Sequence, residues 1–473
     1  MGTATVKSGT INLLNTIIGA GILAMPYGLK CNGIVFGCVL ITWSALTSSF
    51  GLYLQNKVAK YTHQRGNVSY FSLAQLTYPH FSILFDSAIS IKCFGVGVSY
   101  LVVIGDLMPQ IMAQLGATHG LVLHRNFWIS VFMVCVVAPL SFLKKLDSLK
   151  YTSVVALVSI VYLACLVVGH YVAHDIDVPD LEIDYLGPKS VSLTLSSFPI
   201  FVFAYTCHQN MFAIINELKP SDTHGSQTRQ SNLIIRNAIS TACVSYIIVG
   251  VIGYLTFGNT VNANIITMYP SSSVFSLIGQ ICIVVMVALS FPLQCHPCRG
   301  SLNHVIFYIT DGINTKLRHG ARHGYAQLNS DMESVHSVAD SSTNESLHNE
   351  SFVSTTPMEG AHDTDGHDAI IVKLTNKKFY AITAVIVIGA YLVAISVQNL
   401  AHVLAIVGST GSTSISFILP GMFGYLLIKP LGDATQLTKL ERFCKFGGLA
   451  LAIYGIIVMV LCLSATIFLG AKD

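Results

Sequence analysis

The stretch "NTIIGAGILAMP", Asn15 to Pro26, lies in the first long apolar segment of the chain and is a poor helix. Glycine in a helix interior costs roughly 1 kcal/mol against alanine, and proline about 3. In lipid the cost rises, because freed backbone groups find no water. Gly19, Gly21 and Pro26 therefore predict a helix that breaks.

The surrounding composition says which solvent the helix meets. Of 473 residues, 52% are hydrophobic and 10% charged, where a soluble domain carries about 25% charged. The chain reads as an all-α polytopic membrane protein embedded in a lipid bilayer. A span needs about 20 mostly apolar residues. Eleven are expected, near 8–30, 34–56, 83–114, 126–143, 150–172, 190–217, 232–256, 272–298, 378–398, 400–428 and 444–470. Gln398 and Asn399 mark the turn between the ninth and tenth. The first segment reads as a retained span rather than a cleaved signal. The net charge of +3 is too small to suggest nucleic acid.

With eleven spans, Lys30, Arg125, Lys189 and Lys472 fall on one side and Lys92 within the third span; every other Lys and Arg falls on the opposite side. The positive-inside rule then predicts a cytosolic N-terminus and a lumenal C-terminus. The polar segment 300–376 reads as a disordered cytosolic loop. The sequons at Asn67, Asn344 and Asn349 fall on the cytosolic side and are expected to stay unglycosylated. "HDIDVPDLEID", His174 to Asp184, is an acidic loop on the other face, where low pH is expected to neutralise it in part. "CHPC", Cys295 to Cys298, lacks a second pair for zinc and is assigned no metal.

Transporters built from inverted repeats interrupt matching helices of their two halves. With halves at 1–173 (spans 1 to 5) and 190–428 (spans 6 to 10), followed by span 11 at 444–470, the sixth span should mirror the first. It holds Pro199 and then Thr206, Cys207, His208, Gln209 and Asn210 in mid-span. Broken helices expose N–H groups to an anion and carbonyls to a cation. An amino acid's carboxylate suits the first and its ammonium the second. The other reading of the glycines is a kink that lets helices pack closely. "GSTGSTSISFILPG", Gly408 to Gly421, suits close packing in the tenth span.

"NTIIGAGILAMP", "YTCHQNMFAIINEL", "FPLQCHPCR" and "GSTGSTSISFILPG", in this order on spans 1, 6, 8 and 10, resemble the amino acid/auxin permease family. That family includes fungal vacuolar amino-acid transporters and animal sodium-coupled neutral amino-acid transporters. The short N-terminus and long Ser-rich loop are most similar to the fungal vacuolar exporters of acidic or neutral amino acids. The resemblance implies a leucine-transporter-like fold, five plus five inverted helices and one more, with helices 1 and 6 broken. It implies an unwound stretch at Ile18, Gly19, Ala20, Gly21 and Ile22 with Thr16 facing the site, and another from Phe203 through Tyr205 to Cys207. A cation site on the pattern of sodium-coupled relatives would use the carbonyls of Asn15 and Ile18 and the side chain of Ser290. Helix 6 departs from the pattern in having no glycine at its break.

Proton coupling needs a titratable group inside the bundle. Lys92 in the third span and His208 beside the helix 6 break are the candidates; Lys92 alternatively pairs with Asp86, and His208 alternatively is a neutral core histidine. The expected function is secondary amino-acid transport, proton symport from the lumen of a vacuole or lysosome to the cytosol, without cofactor. Sodium-coupled symport, a plasma-membrane location, and an amino-acid sensor of the same fold are the alternatives. No H-E-x-x-H, G-x-S-x-G or paired intramembrane Asp suggests an enzyme.

Overall fold

The computed structural model describes residues 5–61, 68–77, 81–118, 120–143, 152–179, 181–218, 226–270, 272–333, 374–430 and 436–468. All the regular structure there is helical. The elements are α1 (Val6–Ile17), α2 (Met25–Asn32), α3 (Ile34–Val58), α4 (Tyr70–Thr77), α5 (Ser82–Gln114), α6 (Arg125–Ser141) and α7 (Thr152–Ala173), then α8 (Val191–Ala204), α9 (Met211–Glu217), α10 (Gln227–Phe257), α11 (Val274–Glu333), α12 (Asn376–Ser396), α13 (Leu400–Leu427) and α14 (Lys439–Phe468).

Among the described residues nine helical segments are long and apolar enough to cross a membrane, and the bent pair α1–α2 makes ten. The remaining expected span is α6, shorter than the others and interrupted by a π-helical segment at Met133–Val137. Local chemistry sets the ends. Thr5, Ser190, Thr375 and Asn399 accept the first free N–H groups of α1, α8, α12 and α13. Asn399 thus caps α13 at the turn expected there.

Burial sorts the helices. The apolar windows of α5 and α13 are 83% and 78% buried, that of α14 only 33%. Helices α5 and α13 therefore form the centre with the broken segments, while α14 shows Ile453, Ile456, Ile457 and Val460 on an exposed face suited to lipid. The glycines of 408–421 let backbones touch. A Cβ on Gly408 would sit 2.0 Å from the Pro199 carbonyl oxygen of α8, and one on Gly411 2.7 Å from the Lys92 amide of α5. This stretch of α13 is π-helical over Gly408–Ser412 and Ser414–Ile418.

Two expectations for loops change. The segment read as a hydrophilic loop from residue 300 begins as a continuation of α11, which runs to Glu333. Buried Arg299, Ser301, Asn303 and His304 hold its first turns against the bundle, which a polarity count cannot see. Residues 334–373, with the sequons at Asn344 and Asn349, lie outside the described residues, as does Asn67. The acidic stretch after α7 is strapped down rather than loose. Ile34 and Val35 donate their N–H groups to the carbonyls of Asp184 and Tyr185 at 3.0 and 2.9 Å, and Asn259 N–H donates to the Glu182 carbonyl at 3.0 Å. Gly33 and Gly258, both at positive φ, lie where a Cβ would strike this strap. The Lys189 ammonium, 3.0 Å from Asp184, holds that carboxyl below its ordinary range, so mild acid does not neutralise it.

Candidate functional site

The first interrupted segment leaves helical backbone geometry at Ile18 and Gly19 and resumes as a 3₁₀ turn over Ala20–Ala24 before α2, with a bend of 48°. The non-helical part is thus two residues, shorter than the expected Ile18 to Ile22. In the sixth segment Phe203 and Ala204 remain helical, and the break covers Tyr205 to Cys207, followed by a 3₁₀ turn at His208–Asn210. Proline is not at either gap: Pro26 opens α2 and Pro199 lies inside α8.

The two breaks face each other. A Cβ on Gly21 would meet the Ala204 Cβ at 2.9 Å and its Cα at 3.0 Å. Above and below the breaks, half-helices pair across. Asn32 of α2 donates to Ser197 of α8 at 2.9 Å, and Asn210 donates to Thr16 of α1 at 2.9 Å. A residue absent from the sequence reading joins the gaps. Tyr246 of α10, fully buried, places its hydroxyl 2.8 Å from the Ile17 carbonyl and 2.9 Å from the Ala204 carbonyl. A phenol has one proton, so it satisfies one of these carbonyls at a time. Nothing in the apolar context of Tyr246 signals that role. Gly19 faces Tyr100 of α5, whose hydroxyl would lie 3.2 Å from an added Cβ.

Side chains hold the second break open. Ser48 Oγ of α3 donates to the Tyr205 carbonyl at 3.0 Å, while His208 Nε2 lies 3.1 Å from the Ser48 carbonyl and is therefore the protonated nitrogen. Gln55 donates to the Tyr70 hydroxyl of α4 and, at 3.5 Å, to the His208 carbonyl. Thr206 takes a hydrogen bond from Ser416 of α13 at 3.3 Å. Around this knot the Nδ1 of His208 and both amide atoms of Gln209 are buried without a hydrogen-bond partner among the described residues. Ser44, Ser48 and Gln55 lie four and seven apart on α3, a polar stripe that helical spacing could have revealed.

The other sequence candidates scatter. Ile18, Ala20, Ile22, Phe203 and Cys207 are buried with the breaks. The Asn15 side chain donates to Ser153 of α7 at 3.2 Å, and Ser290 lies within α11. Lys92, fully within α5, donates to Gln294 of α11 at 3.4 Å. Asp86 is taken instead by His304, at 3.3 Å.

Comparison with known proteins adds three findings. The profile of the family described as transmembrane amino acid transporter protein matches residues 2–461. Vacuolar amino acid transporter 6 of Saccharomyces cerevisiae is 45% identical over 99% of this chain and 100% of its own length, and vacuolar amino acid transporter 5 of the same yeast is 39% identical over 99% of each. Among solved structures, Mhp1, a nucleobase-cation-symport-1 family transporter in a closed conformation with bromovinylhydantoin bound, superposes with a TM-score of 0.54 at 11% identity over 99% of this chain and 91% of that one. The likeness to Mhp1 is one of fold, the leucine-transporter-like arrangement expected from the motifs.

Proposed function

This chain belongs to the transmembrane amino acid transporter family, and from that premise we propose that it is a secondary active transporter moving neutral or acidic amino acids from a vacuole-like lumen to the cytosol by proton symport. The observation that carries the reading is the meeting of the two breaks around Tyr246. There, main-chain carbonyls of α1 and α8 lie within reach of one donor, and a bound ammonium would supply the second. The N–H groups at the start of the 3₁₀ turn Ala20–Ala24 would face the carboxylate. Residues 1–173 and 190–428 form the two inverted repeats, with the N-terminus cytosolic, the C-terminus lumenal and the protein in the vacuolar membrane.

Proton rather than sodium is the coupling ion in this reading. Ser290 is the clearest side-chain oxygen available to a cation site, whereas Lys92 and the Nδ1 of His208 are buried groups able to accept a proton. Each pH unit corresponds to about 1.36 kcal/mol. One proton moving down about two units thus sustains roughly hundredfold accumulation of a neutral substrate.

Reconstitution into liposomes tests this directly. Labelled amino acids should accumulate under an imposed pH gradient with choline in place of sodium, and a protonophore should stop them. Uptake that needs sodium and ignores the protonophore would restore the sodium-coupled reading. Binding without any uptake would favour a sensor.

A further inference from the structure

We propose that Asp86 and His304 form the site at which the coupling proton leaves for the cytosol, reached from Lys92 along the interface of α5 and α11. The proposal rests on the proton-coupled reading above and extends it to residues that reading does not use.

Three contacts fix how the two helices meet. Lys92 lies against Gln294 at 3.4 Å, the Cys298 thiol points to the Ser90 carbonyl at 3.5 Å, and Asp86 lies against His304 at 3.3 Å. The helices are antiparallel here, so the row descends from mid-helix toward the end of α5 where the basic flank of α11 begins. Six residues separate Lys92 from Asp86, about 9 Å along a helix. That is too far for one hop and suits one or two intermediates. The row supplies them. Ser90 Oγ of α5 and Ser301 Oγ of α11 fall between the two contacts, buried and without a hydrogen bond among the described residues, and Asn303 Oδ1 and Ser82 Oγ, in the same state, lie at and beyond Asp86. Groups of this kind hold water or pass a proton.

The pair itself is costly unless it does something. Asp86 and His304 are each 5% exposed. Ionisable groups held within the membrane-spanning part of a protein mark proton paths. Among the described residues, Cys93, Cys207 and His208 face Lys92, Cys298 lies on α11, Tyr70 is on α4, and Arg299 bonds the Ser141 carbonyl and Thr383 of α12 and lies over the Phe379 ring. On the α13 side Asp86 has an apolar flank, the Phe85 ring against Phe423 at 5.6 Å.

The steps balance. A proton from the lumen converts the Lys92 amine to ammonium. Through the hydroxyls it passes to the Asp86 carboxylate, leaving the amine free and the acid neutral. The acid hands it to His304, regenerating carboxylate and forming imidazolium, which releases it to the cytosol and returns to imidazole.

The test uses full-length protein in liposomes, with the best-transported of the twenty labelled amino acids as cargo and an entrapped pH dye. Asp86→Asn should keep exchange of internal for external substrate within about twofold of wild type, yet lose gradient-driven accumulation by about tenfold for each imposed pH unit. Substrate-evoked acidification should vanish with it. His304→Gln, which retains a donor to Asp86, should make net flux insensitive to cytosolic-face pH, because glutamine carries no exchangeable charge. Either variant accumulating substrate with the wild-type pH profile overturns the proposal. So does exchange falling in step with accumulation in protein recovered at wild-type level, because that marks a merely structural contact. Should Asp86→Asn fail to fold, His304→Gln decides alone. Wild type that ignores a protonophore refutes proton coupling itself, a failure seen before any variant is made.

Discussion

The break between α1 and α2 and the break between α8 and α9 lie face to face, yet they are made by different means. In the first, glycine weakens the main chain, and Gly21 lets the backbone of α8 come within contact of it. In the second there is no glycine at all. Tyr205 and Thr206 leave the helix where Ser48 donates to the Tyr205 carbonyl and Ser416 to the Thr206 hydroxyl, while His208 bonds back to the Ser48 carbonyl and Gln55 braces the His208 carbonyl of the turn that follows. One gap belongs to its own segment, and the other is held open by neighbours. A break of the second kind can respond to what the neighbouring helices do.

The contrast ranks substitutions. Gly21→Val should abolish amino-acid uptake while the protein still reaches its membrane, because its Cβ would lie 2.9 Å from the Ala204 Cβ with backbone just behind. Overpacking of that kind costs about 1–3 kcal/mol for a methylene, and a branched side chain adds more. Gly19→Val, which sequence alone would rank equal, should lose less, since its Cβ meets only the end of the Tyr100 side chain at 3.2 Å. Equal loss in the two variants, measured as initial uptake at matched expression, would remove the close approach of the breaks as the explanation.

Tyr246→Phe comes next. It preserves the ring packed against Tyr205 and removes the hydroxyl shared by the breaks. A buried carbonyl left without a donor costs about 1–3 kcal/mol, so uptake should fall about tenfold or more. Normal uptake by this variant would detach the two gaps from each other. Ser48→Ala removes one hydrogen bond to the second break only. It should cost about 1 kcal/mol, a several-fold drop in uptake, and it should fall more heavily than Thr47→Ala, whose hydroxyl bonds within its own helix.

The smallest effect lies far from both breaks, on the strap. The Lys189 contact depresses Asp184, so its contribution is present above the ordinary carboxylate range and is lost only as pH falls through the depressed value. Asp184→Asn should lower the melting temperature slightly and by the same amount from about pH 5 to 8, the difference shrinking only below about pH 4. A difference that closes between pH 5 and 6 would mean that the strap does respond to a mildly acid lumen.

The same contrast explains what could be read in the sequence. Apolar length gave the spans, and Gly19, Gly21 and Pro26 gave the first break, because both are properties of a segment by itself. The second break is visible in the sequence only as a crowd of polar residues from Thr206 to Asn210, and its expected start at Phe203 lies two residues early because the partners on α3 and α13 are remote in sequence. Tyr246 left no trace, since a tyrosine in an apolar helix looks the same whether or not two carbonyls await it. Nearness in sequence offers Lys92 only an alternative role as partner of Asp86, whereas the helix extension beyond residue 300 brings His304 to Asp86.

The bare backbone of α13 has a mechanical meaning. Gly408 rests on the Pro199 carbonyl and Gly411 on the Lys92 amide, with no side chain to yield between them. Side chains act as springs, and peptide planes in contact act as a strut. A tilt of α8 is therefore delivered to the stretch of α5 that carries Lys92 with little slack, over a spacer one helical turn long.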